Sequence, residues 1–134
     1  MYAVSPAVTN VDMNALFAAS WPNHREVDYA PELAHSLLYV CAHAGDRLVG
    51  FVNVAWNGGI HAFILDTTVH PDFQRRGIGV RLVRGAADAA RLRGMEWLHV
   101  DYDPHLDAFY RACGFEPTLA GLMQLTDHGD VDRP

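Results

Sequence analysis

The sequence predicts an α/β fold, α+β in some schemes, built on a mixed, twisted central sheet flanked by helices. Three observations carry that expectation. Apolar, strand-like runs at 37–42 and 48–54 are separated by the turn cluster Ala44-Gly45-Asp46-Arg47, the pattern of an antiparallel hairpin. A third run, 61–69, leads through a glycine-bearing turn into a long helical pattern, and another strand-like stretch follows at 96–102. A strand, helix and strand of that length form a parallel crossover, so the sheet must mix both senses.

Taken in order, 11–19 predicts a first short helix with Asn10 or Asp12 near its cap, and 31–36 a second, opened by a proline in its first turn. The stretch between them, Trp21-Pro22-Asn23-His24-Arg25-Glu26-Val27-Asp28-Tyr29, is polar and irregular. After the hairpin, Asn57-Gly58-Gly59 turns the chain into the third strand. The long helix is expected over 78–93: Leu82, Ala86 and Ala90 share one face with Val83 and Ala87 beside them, whereas Arg81, Arg84, Asp88 and Arg91 face outward. Gly94 closes it. Asp103-Pro104 predicts a last helix start, with Asp103 as N-cap and Pro104 at the first helical position. Leu106, Phe109, Tyr110 and Cys113 follow at helical spacing, and Gly114 ends the helix. Final strands are expected at 115–119 and 122–125, and a frayed tail at 127–134.

With 134 residues, half of them hydrophobic, the chain is expected to be one domain over 1–134 with a genuine core. No run approaches the roughly 20 apolar residues of a membrane span, and the first residues lack a signal pattern, so a cytoplasmic protein with no membrane partner is expected. Cys41 and Cys113 make no disulfide framework and are expected as reduced core residues. A net charge of −6 argues against a nucleic-acid partner, which calls for a basic face. The charge fits a cationic ligand only weakly, because salt screens it beyond about 8–10 Å.

The most informative stretch is Val69-His70-Pro71-Asp72-Phe73-Gln74-Arg75-Arg76-Gly77-Ile78-Gly79-Val80. The first amides of a helix lack internal partners, and the helix dipole adds positive potential there, so an anion at Arg75, Arg76, Gly77, Ile78, Gly79 and Val80 would be held largely by backbone. Gly77 and Gly79 would let it approach the main chain, with Arg75 and Arg76 adding charge at the rim. A dinucleotide fingerprint fails because Leu82 stands where a third glycine is required. A Walker loop fails because the chain has no lysine.

The remaining pattern, Q/R-x-x-G-x-G, resembles the pyrophosphate loop of GNAT-type acetyl-CoA-dependent N-acetyltransferases. About thirty residues on, Asp103-Pro104-His105-Leu106-Asp107-Ala108-Phe109-Tyr110-Arg111-Ala112-Cys113-Gly114-Phe115 is similar to the family's second signature, N-x-x-A-x-x-x-Y-x-x-x-G-F. Asp103 replaces its usual Asn and Leu106 its frequent Ala. The resemblance covers 63–115. It implies the GNAT fold, acetyl-CoA as cosubstrate, and transfer of acetyl to a primary amine by direct attack in a ternary complex.

Carried over residue by residue, the resemblance puts the thioester and pantetheine arm on the main chain of Thr67, Thr68 and Val69. The pyrophosphate falls on Arg75, Arg76, Gly77, Ile78, Gly79 and Val80, with Gln74 either a cofactor contact or a loop-packing residue. Tyr110 matches the signature tyrosine near the cofactor sulfur, where a phenol can donate to a departing thiolate. For the proton acceptor there are two candidates, since Phe63 and Leu65 stand where some members place Glu or His. Asp66 falls where many members have an acid, and could orient the amine or drain its proton through water. His99 resembles the position of the glutamate base in ribosomal-protein alanine acetyltransferases if one gap is allowed, or is a core histidine. Asp103 is a cofactor contact or simply an N-cap.

A rival set, His99, Asp101, Asp103 and His105, would line one strand face and suit a metal, but Pro104 interrupts the strand. No metal is therefore expected. The acceptor is expected to be a small-molecule, peptide or protein amine, and a homodimer is open to the chain. The alternatives are a non-catalytic acyl-CoA-binding sensor and an enzyme using another acyl-CoA.

Overall fold

The computed structural model describes residues 1–126. Its elements run β1 (Tyr2–Val4), α1 (Asn10–Ser20), α2 (Ala30–Ala34), β2 (Ser36–Ala44), β3 (Arg47–Trp56), β4 (His61–Val69), α3 (Ile78–Leu92), β5 (Trp97–His99) and α4 (Asp107–Ala112). The five strands lie in sequence order in one sheet. Every neighbouring pair is antiparallel except β4 and β5, which pair in parallel. The mixed sheet expected from the sequence is therefore present. Among the described residues no helix is long and apolar enough to cross a membrane.

Strand alternation sorts the core into two faces. Leu38, Val40, Val52, Val54, Ala62 and Ile64 pack against Leu82, Val83 and Ala86 of α3. Cys41 and Phe51 point the other way, onto Met13, Leu16 and Phe17 of α1. Leu82, Val83 and Ala86 are wholly buried, whereas Arg81, Arg84 and Asp88 are exposed, so the helix buries the stripe its periodicity predicts. Each large apolar side chain buried this way contributes about 1.5–3 kcal/mol, which anchors the α3 start against the sheet.

Several elements differ from expectation. The cap of α1 is Thr9, whose Oγ1 accepts the Asp12 N–H at 3.1 Å, rather than Asn10 or Asp12. The α2 helix starts one residue early and ends at Ala34, because Ser36 already pairs with Ala55. β1 has no strand pattern of its own: three residues become a strand only through pairing with β2. β5 keeps three of the seven residues expected, because its pairing with β4 ends at Phe63 and His99. The final helix is split into a 3-10 turn at Pro104–Leu106 and α4.

No strand forms at 115–119 or 122–125. Leu119, Leu122, Met123 and Leu125 are exposed, and Pro117, which lacks an amide donor, and Gly121 interrupt the segment. The tail expected at 127–134 lies outside the described residues.

Candidate active site

A cleft of about 500 Å³ lies between the loop after β4 and α4. Two local devices shape it. The first is the loop into α3. After a 3-10 turn at Pro71–Phe73, Arg75 takes φ +63° and Gly77 φ +79°. This left-handed conformation costs an L-residue roughly 1–2 kcal/mol, a penalty glycine escapes. A Cβ on Gly77 would meet nothing within 4 Å, so backbone conformation rather than crowding requires glycine there, and the space beside it is open.

The α3 helix then begins with no side-chain cap and no acid in its first turn. Its first internal bond is Arg81 N–H to the Gly77 carbonyl, 3.2 Å. The amides of Ile78, Gly79 and Val80 precede that bond, leaving the dipole's positive end unopposed beside the cleft they line. Gln74 donates from Nε2 to the Val69 carbonyl at 3.1 Å, tying the loop to the end of β4. A Cβ on Gly79 would approach Phe109 Cε1 to 2.9 Å. Close packing on α4 is thus a local reason for that glycine, beside the ligand approach expected.

The second device is a bulge in β4. Phe51 pairs with Thr68 and Asn53 with Leu65, so two steps along β3 oppose three along β4. Asp66, φ +59°, and Thr67 take up the extra residue. Thr68 is buried and donates from Oγ1 to the Asp66 carbonyl at 2.9 Å, fixing the bend. Thr67 then turns its hydroxyl to the cleft, where it accepts from Tyr110 Oη at 3.3 Å. Tyr110 is buried, edge-on to Phe109 and stacked on Tyr102 at 4.8 Å. Burial raises its hydroxyl above the usual 10.0, against a smaller opposite effect from Thr67.

Of the residues expected in the site, Thr67, Val69, Gln74, Arg75, Gly77, Ile78, Gly79, Val80 and Tyr110 line the cleft, joined by Phe73, Leu106 and Phe109. Thr68 supports the bulge from beneath. Arg76 turns onto the Phe73 ring, its Cζ 5.0 Å from the centroid. Asp103 occupies the N-cap position of the 3-10 turn, but its side chain makes no capping bond.

Asp66 is half-buried under α2, and its carboxyl is hydrogen-bonded to Glu32. Burial first, then the Glu32 charge and that bond, push its pKa up to about 7. His99 is exposed and stacks on Phe63 at 4.8 Å, with Nε2 2.8 Å from His61 Nδ1. Asp101 and Asp103 lie beyond β5 and His105 in the 3-10 turn, so the rival set of His99, Asp101, Asp103 and His105 shares no strand face. Among the described residues no group of three or more His, Cys, Asp or Glu side chains is placed to hold a metal. Glu32 was not legible in the sequence, since only the fold brings it to Asp66. Phe73 and Phe109 carry a weak signal, the one just before the glycine turn and the other at a variable position of the second signature.

A mixed sheet whose β4 strand bulges, with an open helix start lining the adjoining cleft, defines an α/β protein suited to an extended anionic ligand. The chain belongs to the Acetyltransferase (GNAT) family, whose sequence model matches residues 10–115; members are acyltransferases that use acetyl-CoA. It is 40% identical over 83 residues to the N-alpha-acetyltransferase RimI of Mycobacterium tuberculosis, covering 58% of this chain and 51% of that protein. An uncharacterized N-acetyltransferase of Pyropia yezoensis is 31% identical over 72 residues, covering 54% and 41%. The chain thus spans about half or less of the length of these curated relatives.

Among solved structures, a GNAT-family acetyltransferase of Streptococcus pneumoniae superposes with a TM-score of 0.72 at 26% identity, covering 96% of this chain and 98% of that one. The aminoglycoside N-acetyltransferase AAC(6')-Iy in complex with CoA shares the fold, with a TM-score of 0.73 at 18% identity and 96% coverage of both chains.

Proposed function

We propose that this chain, as one domain over 1–134, transfers the acetyl group of acetyl-CoA to a primary amine by direct attack in a ternary complex. The observation that carries it is the pairing, along one cleft, of an uncapped α3 start with a buried tyrosine hydroxyl at the β4 bulge. When bound, acetyl-CoA supplies an activated thioester. The open space at Gly77 and the free amides of Ile78, Gly79 and Val80 fit its pyrophosphate. The bulge frees main chain at Thr67 from the sheet ladder for the thioester end, with Val69 following in the cleft wall.

Tyr110 holds its proton toward the departing sulfur. Its raised pKa makes it a hydrogen-bond donor that stays protonated, able to stabilise thiolate as charge develops. Asp66, hydrogen-bonded to Glu32, anchors the amine and accepts its proton. Its position next to Thr67 favours it over His99, whose Nε2 already faces His61. The acceptor is set by the residues around α2 and the loop before it, where Glu32 and Tyr29 stand.

Calorimetric titration with acetyl-CoA, followed by a thiol-release assay over a panel of small amines, amino acids and peptides, tests this function. Micromolar binding and turnover with one class are expected. Binding without turnover on any amine would reassign the chain to acyl-CoA sensing, and absence of binding would refute the proposal.

A further inference from the structure

Beside the cleft, three cationic or polar side chains gather on one ring. The Arg47 and Arg76 guanidinium carbons lie 5.7 and 5.0 Å from the centre of Phe73, and His70 meets the same ring edge-on at 6.0 Å. His70, Phe73 and Arg76 share the loop between β4 and α3, and the fold brings Arg47 to them from the start of β3. Among the described residues neither arginine, nor the neighbouring Arg75, forms an ion pair. In a chain of net charge −6 this is a local concentration of positive charge. The Phe73 ring orients the guanidiniums but brings no anion.

His70 sharpens the point. It is 9% exposed, and both of its ring nitrogens face donors: the Asp72 amide lies 3.1 Å from Nδ1, and Arg47 Nη2 lies 2.8 Å from Nε2. Arginine has no acceptor, and a neutral imidazole has only one. One ring N–H is therefore directed at another donor. Asp72 Oδ2 lies 3.9 Å from Nδ1, beyond hydrogen-bonding reach. The cluster has more donors than acceptors and is built for an anion.

We propose that Arg47, His70 and Arg76 bind the ribose 3′-phosphate of coenzyme A and make the protein select it over the 3′-dephospho form. The inference rests on acetyl-CoA being the donor. That molecule carries two separate anionic groups, a pyrophosphate and a phosphomonoester, and the amides at the α3 start can hold only one of them. Phe73 and Arg75 line the cleft, so a ligand on the α3 amides passes directly beside the guanidiniums. A monoester dianion accepts from both arginines and from the unmatched imidazole N–H, and planar guanidiniums suit its oxygens.

The test is calorimetric titration of the wild-type chain and of Arg47→Met, Arg76→Met and the double variant with CoA and with 3′-dephospho-CoA. Both arginines are exposed, so the variants keep the core intact. Wild type is expected to prefer CoA by about tenfold or more, as charge-assisted bonds to phosphate imply. The double variant should lose most of that preference, its affinity for CoA falling far more than its affinity for the dephospho form, and raised salt should erode the wild-type preference. Equal wild-type affinity for the two ligands, or a preference that survives in the double variant, overturns the 3′-phosphate site and leaves the donor assignment standing. Binding of neither ligand overturns both.

Discussion

The Tyr110 hydroxyl lies 3.3 Å from Thr67 Oγ1, joining α4 to the bulge of β4 across the cleft. The bond is long, and Thr67 can serve as acceptor only while nothing better is offered. A thiolate would be a better acceptor. The tyrosine is thus held in place by its ring packing on Tyr102, Phe109 and Phe115, and its hydroxyl is available to a ligand.

Tyr110→Phe should lower kcat by about 10²–10⁴-fold, the usual range for a positioned acid, with acetyl-CoA affinity retained. Because burial raises the hydroxyl above 10.0, wild-type kcat should show no falling limb below about pH 10. Steady-state rates across pH and a melting curve check this. A rate within twofold of wild type would return Tyr110 to a packing role.

Gly77→Glu should abolish acetyl-CoA binding. The substitution places a side chain and a like charge in the open space at the helix start, and adds about 1–2 kcal/mol of left-handed strain. Circular dichroism should show a folded protein while calorimetry shows no heat of binding. Unchanged affinity in the folded variant would displace the pyrophosphate from this loop.

Gly79→Ala tests a different glycine by a different mechanism. Its Cβ would stand 2.9 Å from Phe109 Cε1 and 3.1 Å from Cζ, so overpacking should cost about 1–3 kcal/mol. Phe109→Leu removes the ring edge, and the double variant should be more stable than the two single losses add up to. A double-mutant cycle by thermal denaturation measures the coupling, and strict additivity would refute the contact as the cause.

Local pattern made β4 and α3 legible almost to the residue, because both bury continuous apolar stripes whose period needs no partner to be seen. The same is true of the glycine turn and of Tyr110. What stayed hidden depends on distant partners. β1 exists only against β2, β5 ends where β4 diverges from it, and the 122–125 run has strand-like apolar residues but no strand beside it. Glu32 and Arg47 follow the same logic, since one meets Asp66 and the other His70 only after folding.

Asp66→Asn should change how stability depends on pH. Its folded pKa, about 7, lies above the ordinary 3.8, so the folded state binds the proton more tightly than the unfolded chain. That contribution is full below about pH 4 and is lost as pH rises through 7. Asn keeps a donor for Glu32 and does not titrate, so the variant should be no more stable than wild type near pH 4 and more stable at pH 8. Part exposure of the carboxyl brings the gain to roughly 1–3 kcal/mol. Melting curves of both proteins across pH 4–8 decide it, and parallel curves would refute the shift.

The same proton links stability to turnover. If Asp66 accepts the amine proton, kcat/KM should rise with pH through an apparent pKa near 7, as its carboxyl ionises. Asp66→Asn should remove that limb and raise the KM for a cationic acceptor, because the lost charge acts in the ground state as well as the transition state. His99→Gln keeps a polar side chain on exposed β5 and should leave the limb in place, with acetyl-CoA affinity unchanged. A single acceptor must serve all three proteins, since the amine's own deprotonation also gives a rising limb. Loss of the limb in His99→Gln together with its survival in Asp66→Asn would transfer the proton to the imidazole, and the His61–His99 contact would then be the group that orients it.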